Sequence, residues 1–336
     1  MKKYILRALV IFCSVFPDAL AQQSPAWSDK SPHKVRFVTV DKDVQLEVLD
    51  WGGTGRAVVL LAGSGNSAHV FDDFAPKLSD CCHVYGITRR GYGASSQPAS
   101  GYDNQRLSDD VVRVLDELQI ERPVLAGHSA AGGELTTIGN QHSDRLSGLV
   151  YLDALGDGRD WPASDPAYMA LLRKLPPGAP PPPCPDDGTP AGSWTALRCR
   201  TKLPASELHN VFTTNGDGSA GEHKTPGWIH RAMGDGDIKR DYSRIRVPVL
   251  AFYEFPRTSL DQLRADEPKP RNDEEAKALI TFALAHKAFL DRWTANLKRG
   301  VPTARIVDLP AAGHFVFLTK EADVLREMRA FIASTR

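Results

Sequence analysis

Hydrophobic and polar residues alternate along two stretches near the start of the chain, and mostly apolar runs follow them. Residues 35–40 and 44–49 alternate, which predicts two strands paired as an antiparallel hairpin. The later strand-like runs lie at 57–61, 84–87, 123–126, 149–152, 247–253 and 304–309. A strand that is covered on both faces needs an apolar run rather than an alternation. The pattern therefore predicts strands buried within a sheet.

Apolar residues recur at helical spacing between these strands. Leu107, Val111 and Val114 begin one such set, which predicts an amphipathic helix over 108–119. Further helices are predicted at 71–78, at 134–141, from an Asn272 cap to Gly300, and at 321–333. Strands that alternate with helices indicate an α/β fold, with a mostly parallel, doubly wound sheet of eight strands and helices on both faces.

The alternation of strands and helices stops over residues 156–244. A polyproline-like piece at 176–183 is incompatible with a core strand. Tryptophans and other large apolar residues surround this piece, and a solvated linker would not need them. We therefore expect an irregular cap subdomain over 156–244, resting on a core that is built from 22–155 and 245–336.

Acidic and basic residues balance along the chain, since Lys+Arg and Asp+Glu each total 41. No basic stripe favours a nucleic-acid partner, and no acidic tail favours a disordered segment. Beyond the N-terminus, no segment is long and apolar enough to predict a membrane span. A small-molecule substrate is the expected partner, and the oligomeric state stays open.

The N-terminus has the pattern of a signal peptide. Lys2, Lys3 and Arg7 are followed by a short apolar run and by an A-x-A cleavage signal that ends at Ala21. We therefore expect residues 1–21 to be removed and the protein to be secreted or periplasmic. An uncleaved N-terminal anchor is the alternative.

Cysteine usage fits an oxidising compartment. Cys13 leaves with the signal peptide, and four cysteines remain. Cys184 and Cys199 flank a loop rich in Pro and Gly, and we predict a disulfide between them. A bridge between the adjacent Cys81 and Cys82 would be strained. No His or Cys residues stand at convincing metal-ligand spacing, so neither a metal nor a cofactor is expected.

The stretch 123–133 carries the clearest chemical signal. Its apolar run leads into Gly127-His128-Ser129, and small residues surround the serine before a helix-compatible segment. A serine on a tight strand-to-helix turn needs small neighbours, because the backbone there is strained and crowded. The turn fits the G-x-S-x-G nucleophile elbow, except that Ala131 replaces the last glycine. The alternative is a glycine-rich turn with an idle serine.

Four motifs resemble those of the α/β-hydrolase superfamily, and the resemblance covers nearly all of the expected mature chain. In the family's order, they are the oxyanion loop at 62–65, an R-G-x-G-x-S-like segment at 89–95, the elbow, and Gly313-His314-Phe315 before the last helix. One departure is Ala62, which stands where the family often has histidine. The resemblance implies an α/β-hydrolase sheet with a cap insertion.

The resemblance also implies the roles of single residues. Ser129 is expected as the nucleophile and His314 as the general base. The backbone N–H groups of Ser64 and Ala130 are expected to form the oxyanion hole. The glycines around Ser64 could instead serve only to make a tight turn. His128 is interpreted as a packing residue of the elbow.

Two acidic residues compete for the third place in the triad. Many family members place an acid in the loop after the strand that ends at Tyr253, but Arg257 holds that position here and Glu254 comes early. Asp153 follows another strand end, where some members have their acid. We favour Asp153, with Glu254 as the alternative.

These expectations favour a secreted serine hydrolase that cleaves a carboxylic ester, a lactone or a related acyl compound through an acyl-enzyme. An exported aminopeptidase and a carbon–carbon bond hydrolase of the same fold are alternatives. Epoxide hydrolase and haloalkane dehalogenase chemistry is disfavoured, because those relatives use an aspartate nucleophile. A protein that binds a small ligand without catalysis is the alternative from another class.

Overall fold

A computed structural model describes residues 27–156, 162, 165–175, 183–265 and 269–335. The predicted signal peptide lies outside the described residues, and so does most of the polyproline-like piece. The strands are β1 (Lys34–Asp41), β2 (Val44–Gly52), β3 (Arg56–Leu61), β4 (Cys82–Ile87), β5 (Val124–His128), β6 (Gly148–Leu152), β7 (Phe212–Thr214), β8 (Ala220–His223), β9 (Val249–Tyr253) and β10 (Arg305–Asp308).

One sheet of eight strands has the order β1-β2-β4-β3-β5-β6-β9-β10. The strands from β4 to β10 in this order pair in parallel. β2 pairs antiparallel with both β1 and β4. The mostly parallel, doubly wound sheet that the sequence predicts is therefore confirmed, with the hairpin at one edge.

The helices lie between and beside these strands. They are α1 (Asn104–Glu117), α2 (Gly132–Gln141), α3 (Pro166–Lys174), α4 (Pro190–Thr201), α5 (Ala205–Val211), α6 (Gly227–Asp235), α7 (Leu260–Ala265), α8 (Asp273–Gly300), α9 (Val316–Thr319) and α10 (Glu321–Ser334). α1 begins before the predicted residue 108, because the Asp103 side chain caps it by accepting from the Arg106 N–H at 3.0 Å. The predicted cap of α8 is confirmed, since Asn272 Oδ1 accepts from the Glu275 N–H at 2.8 Å.

The helix predicted at 71–78 is wrong. Two 3₁₀ turns, Ala68–Phe71 and Ala75–Leu78, occupy this part of the chain. Pro76 lies in the second turn, and proline has no N–H to donate to a longer helix. The chain therefore covers this part of the sheet in two short turns.

Each face of the sheet has its own buried core. Along β3, Val59 and Leu61 belong to one core, together with side chains of α1, α2 and α8. Val58 and Leu60 belong to the other core, together with side chains of the 3₁₀ turns and α10. Burial on both faces explains why the central strands read as continuous apolar runs.

The segment between β6 and β9 contains helices and a β7–β8 hairpin, so the expected irregular structure is wrong. Prolines in this segment do not exclude helices. Pro166 and Pro190 are the first residues of α3 and α4, after the caps Asp165 and Thr189. Proline is tolerated at this position because its missing N–H would have no helical partner. The division of the chain into a core and a cap stays a prediction.

Cys184 and Cys199 form a disulfide, with their Cα atoms 5.6 Å apart. The pair agrees with the prediction, but the bridge encloses most of α4 rather than the polyproline-like piece. Cys81 and Cys82 carry free thiols. Among the helices in the described ranges, none combines the length and the apolar character needed to cross a membrane.

Candidate active site

Ser129 lies at the turn from β5 into α2. Its backbone φ is +53°, a left-handed value that side chains with a Cβ seldom adopt. Close packing surrounds this turn. A Cβ added at Gly132 would lie 1.7 Å from the carbonyl oxygen of Ala154. The glycine that the close approach requires is therefore Gly132, one position after the motif's last glycine, and Ala131 is accommodated in the core.

His314 lies in the loop between β10 and α9, and its side chain is 45% exposed. Its Nδ1 and Asp153 Oδ2 are 2.6 Å apart. With the proton on Nδ1, the ring donates to the carboxylate and keeps the lone pair of Nε2 available. This is the tautomer that a general base acting through Nε2 needs.

His128 connects the loop of His314 to the serine turn. Its Nε2 donates to the backbone oxygen of His314 at 3.0 Å, and the two rings are 4.5 Å apart between centroids. Burial, with the charge of nearby His314, lowers the pKa of His128 to about 3. A buried neutral ring that holds the loop agrees with the packing role predicted for His128.

Asp153 and Glu254 both hold the His314 loop, but they contact different atoms. They follow the neighbouring strands β6 and β9. Asp153 pairs with the imidazole, whereas Glu254 Oε2 accepts from the backbone N–H of Gly313 at 2.6 Å. Arg257 lies 3.7 Å from the carboxylate of Asp308 instead. The geometry therefore gives Asp153 the contact that a triad acid makes, and it gives Glu254 a supporting contact.

The loop after β3 lies against the serine turn, because a Cβ added at Gly63 would be 3.0 Å from the Cβ of Ser129. Arg89 donates to the carbonyl oxygens of Ala62 at 3.0 Å and of Gly63 at 3.4 Å. In a trans peptide the N–H points opposite to the C=O. The Ser64 N–H is therefore turned away from Arg89.

A further buried group, Glu134, fixes Arg89 beside this loop. Glu134 holds the Arg89 guanidinium in two hydrogen bonds of 2.8 and 2.6 Å. Ser64 and Ala130, the predicted oxyanion donors, line one small cavity of about 140 Å³. The structure thus brings together the residues of both predicted donors, and Arg89 holds the loop that carries Ser64.

Sequence reasoning missed Glu207 on α5. This carboxyl group is fully buried, and it accepts from Asn66 Nδ2 at 2.8 Å and from the Ser67 N–H at 3.0 Å. Burial raises the pKa of Glu207 to about 7, against the hydrogen bonds from Ser67 and Asn66, which lower it. The segment between β6 and β9 therefore anchors the loop that carries Ser64.

Sequence reasoning also missed His230, which lines the cavity of about 140 Å³ beside Ser64 and Ala130. His230 Nδ1 lies 3.0 Å from Ser64 Oγ and 3.1 Å from Tyr92 OH. His230 belongs to α6, far from both partners in the chain, so no local motif could have identified it. Polar side chains therefore stand next to the predicted oxyanion hole.

A larger cavity of about 480 Å³ borders the His314–Asp153 pair. Its lining includes Asp153, His314, Tyr168, Leu172, His286 and Trp293. Tyr168 and His286 are joined by a hydrogen bond of 3.0 Å between the hydroxyl and Nδ1. Most of this wall is apolar or aromatic, as in sites for small organic ligands.

Sequence comparison finds a family and two informative relatives. The model of the alpha/beta hydrolase family matches residues 58–327. The AB hydrolase superfamily protein YisY of Bacillus subtilis is 34% identical over 304 residues, which cover 86% of this chain and 95% of that protein. Epoxide hydrolase A of Mycobacterium tuberculosis is 35% identical over 113 residues, which cover 32% of this chain and 35% of that protein.

Several curated relatives match over little more than a third of their own length, at 37%, 35% and 37%. Structural similarity extends further. The solved structure of E-2-(acetamidomethylene)succinate hydrolase has a TM-score of 0.62 and 18% identity, over 90% of this chain and 100% of that chain. At this identity, the likeness shows the shared fold alone.

Proposed function

The chain belongs to the alpha/beta hydrolase family, and from this premise we propose that it is a serine hydrolase of carboxylic esters, lactones or related acyl compounds. The observation that carries the proposal is the 2.6 Å pairing of His314 with Asp153, beside the strained turn that presents Ser129. A serine hydroxyl needs an adjacent base that a third group orients, and the proposal assigns these roles to Ser129, His314 and Asp153.

The proposed reaction has two halves. Ser129 Oγ attacks the acyl carbon while His314 Nε2 takes its proton, and Asp153 stabilises the imidazolium. The tetrahedral oxyanion accepts hydrogen bonds from the N–H groups of Ser64 and Ala130. His314 then returns the proton to the leaving alcohol. Water, activated by the same base, cleaves the acyl-enzyme and releases the acid.

The wall of the larger cavity supports an apolar substituent on the substrate. Tyr168, Leu172 and Trp293 offer apolar surface beside the proposed triad. The volume of about 480 Å³ lies within the usual range for small-molecule sites. Opening of an epoxide is not proposed, because in this fold that reaction uses an aspartate where this chain has Ser129.

We also propose that the protein is exported. The N-terminal sequence has the pattern of a signal peptide, and the disulfide between Cys184 and Cys199 is typical of an oxidising compartment.

A substrate panel tests the proposed reaction. The purified protein and its Ser129→Ala variant would be assayed with p-nitrophenyl esters of graded chain length, with lactones and with aminoacyl anilides. We expect turnover of an ester or lactone by the wild type, and a loss of roughly 10³-fold or more in the variant. Turnover of anilides alone would favour the aminopeptidase. Equal rates for both proteins would rule out Ser129 as the nucleophile.

A further inference from the structure

Two histidines and two aspartates converge where the segment before β1 meets the first 3₁₀ turn. Asp29 and His33 belong to that segment, and His69 and Asp72 belong to the turn and its C-cap. One possible ligand atom from each of the four residues lies within 4.8 Å of those of the other three. We call these four residues the His33–His69 cluster, and it is separate from the proposed catalytic residues.

Three of the four side chains in the cluster are almost fully buried, and their charges need compensation. The side chains of His33, His69 and Asp72 are 4%, 3% and 1% exposed, and that of Asp29 is 25% exposed. Carboxylates are rarely buried unless they pair with a cation or coordinate a metal. Either protons on the two imidazoles or a bound cation can supply the positive charge.

The distances suit one small cation in the middle. Asp29 Oδ2 lies 3.3 Å from His69 Nδ1 and 3.6 Å from His33 Nε2. In a tetrahedral zinc site, bonds of 2.0–2.2 Å separate neighbouring ligand atoms by about 3.4 Å. Asp72 Oδ2 is 2.8 Å from His69 Nδ1, so it would have to move by about half an ångström to reach that separation.

The other polar atoms of the cluster are already oriented. His33 Nδ1 lies 2.9 Å from Asp72 Oδ1, and His69 Nε2 lies 3.4 Å from Glu47 Oε1. Trp51 Nε1 donates to the same Asp72 oxygen at 3.1 Å. Each imidazole thus has one nitrogen on a carboxylate and the other directed to the centre, as metal-binding histidines usually do. Asp72 Oδ2 and His69 Nδ1 share a hydrogen bond of 2.8 Å, which a bound ion would replace.

We propose that the His33–His69 cluster binds a divalent transition-metal ion, best matched by zinc, through His33 Nε2, His69 Nδ1, Asp29 Oδ2 and Asp72 Oδ2. Two imidazoles and two carboxylates suit zinc, whereas calcium and magnesium take oxygen ligands. A cavity of about 650 Å³, lined by Asp29 and Asp72, provides the entry path. The bound ion ties the segment before β1 to the core, whatever reaction the protein catalyses.

Metal analysis of the tag-free protein tests this site. The wild type and two variants would be equilibrated with zinc, desalted and analysed by mass spectrometry of the metal, with circular dichroism as a check of folding. Asp73→Asn is the matched control, because exposed Asp73 lines the same cavity without belonging to the cluster. We expect about one zinc ion per chain in the wild type and in this control. Asp29→Asn should lose most of this zinc on desalting, because it lacks one of the four proposed ligands.

Two results would overturn the proposal. One is a wild type that retains no stoichiometric zinc, which would make the cluster a set of direct ion pairs. The other is equal zinc content after desalting in Asp29→Asn and Asp73→Asn. If Asp29→Asn does not fold, the visible absorption spectrum of the wild type loaded with cobalt tests the metal site instead. Intense tetrahedral bands support the site, and the weak spectrum of hydrated cobalt contradicts it.

Discussion

Ser129 and Asp153 both hold left-handed backbone angles, with φ values of +53° and +50°. This region is energetically unfavourable for a residue with a Cβ, and such strain is concentrated at functional sites in many proteins. The two residues follow neighbouring strands, since β5 pairs with β6. Backbone strain at these adjacent strand ends therefore coincides with the proposed triad.

Replacing Asp153 tests the role of the acid. Asp153→Asn should lower kcat by about four orders of magnitude, because asparagine would no longer stabilise the imidazolium and could hold the wrong tautomer of His314. The fold should persist, since the amide keeps the size of the carboxylate. Steady-state kinetics on an ester from the panel, together with circular dichroism, would measure both effects.

Glu254→Gln is the matched control for this experiment. Its side-chain oxygen can still accept from the Gly313 N–H, so we expect a loss of roughly tenfold or less. The opposite order of effects, with the large loss in Glu254→Gln alone, would move the acid to the loop after β9.

Glu207 should make stability depend on pH. Burial raises its pKa from the ordinary 4.5 to about 7, so between these values the folded protein holds a proton that the unfolded chain releases. Stability from this source is therefore fully present below about pH 4.5 and is lost as the pH rises to about 7. Denaturant titrations at about pH 5 and about pH 8 should differ by up to roughly 3 kcal/mol through this group. Glu207→Gln should remove that contribution.

Glu222→Gln is a suitable comparison, because Glu222 is exposed on the neighbouring hairpin. This variant should keep the pH dependence of the wild type. If Glu207→Gln keeps it as well, the buried carboxyl group is not its source.

The sequence predicted some site residues and not others. Ser129 and His314 were identifiable because each belongs to a short motif next to a strand end. Glu207 and His230 reach the site from α5 and α6, more than 130 residues along the chain from their partners Ser67 and Tyr92. His69 had no motif either, since its neighbour His33 comes from a different segment. Contacts of this kind depend on tertiary packing.

At the scale of elements, close packing of the first residue of α2, Gly132, against the backbone of Ala154 fixes the position of the helix. A methyl group at Gly132 would lie 1.7 Å from the Ala154 carbonyl oxygen, which belongs to the backbone and cannot rotate away. Gly132→Ala should therefore lower the free energy of unfolding by roughly 1–3 kcal/mol. Denaturant titration would measure the change.

Gly234→Ala in α6 provides the contrast. A Cβ there would meet nothing within 4 Å, and alanine favours a helix by up to about 1 kcal/mol. We expect an unchanged or higher stability. Equal effects at both positions would mean that α2 can shift away from Ala154.

Strands were predicted more reliably than helices. Central strands such as β5 and β6 are buried on both faces. Each therefore appears in the sequence as an uninterrupted apolar run, which makes it easy to predict. The helices α3 and α4 are short and begin at prolines, and their exposed faces obscure the helical period. Their caps, Asp165 and Thr189, were the available signal.

At the scale of the whole molecule, the parallel pairing of the strands follows from the chain's alternation of strand and helix. The parallel pairs from β4 to β10 bring the carboxyl ends of β3, β5, β6, β9 and β10 to one edge of the sheet. The loops that carry Ser64, Ser129, Asp153, Glu254 and His314 all follow these strands. The fold therefore explains why residues so distant in sequence meet in one place.

Covalent labelling tests most directly whether Ser129 is an activated nucleophile. The wild type would be treated with a fluorophosphonate, and intact-mass and peptide analysis would locate the adduct. We expect one phosphonyl group on Ser129, with no labelling of folded Ser129→Ala and slower labelling of His314→Ala. An unmodified Ser129 in active wild type, or an adduct on another residue, would contradict it.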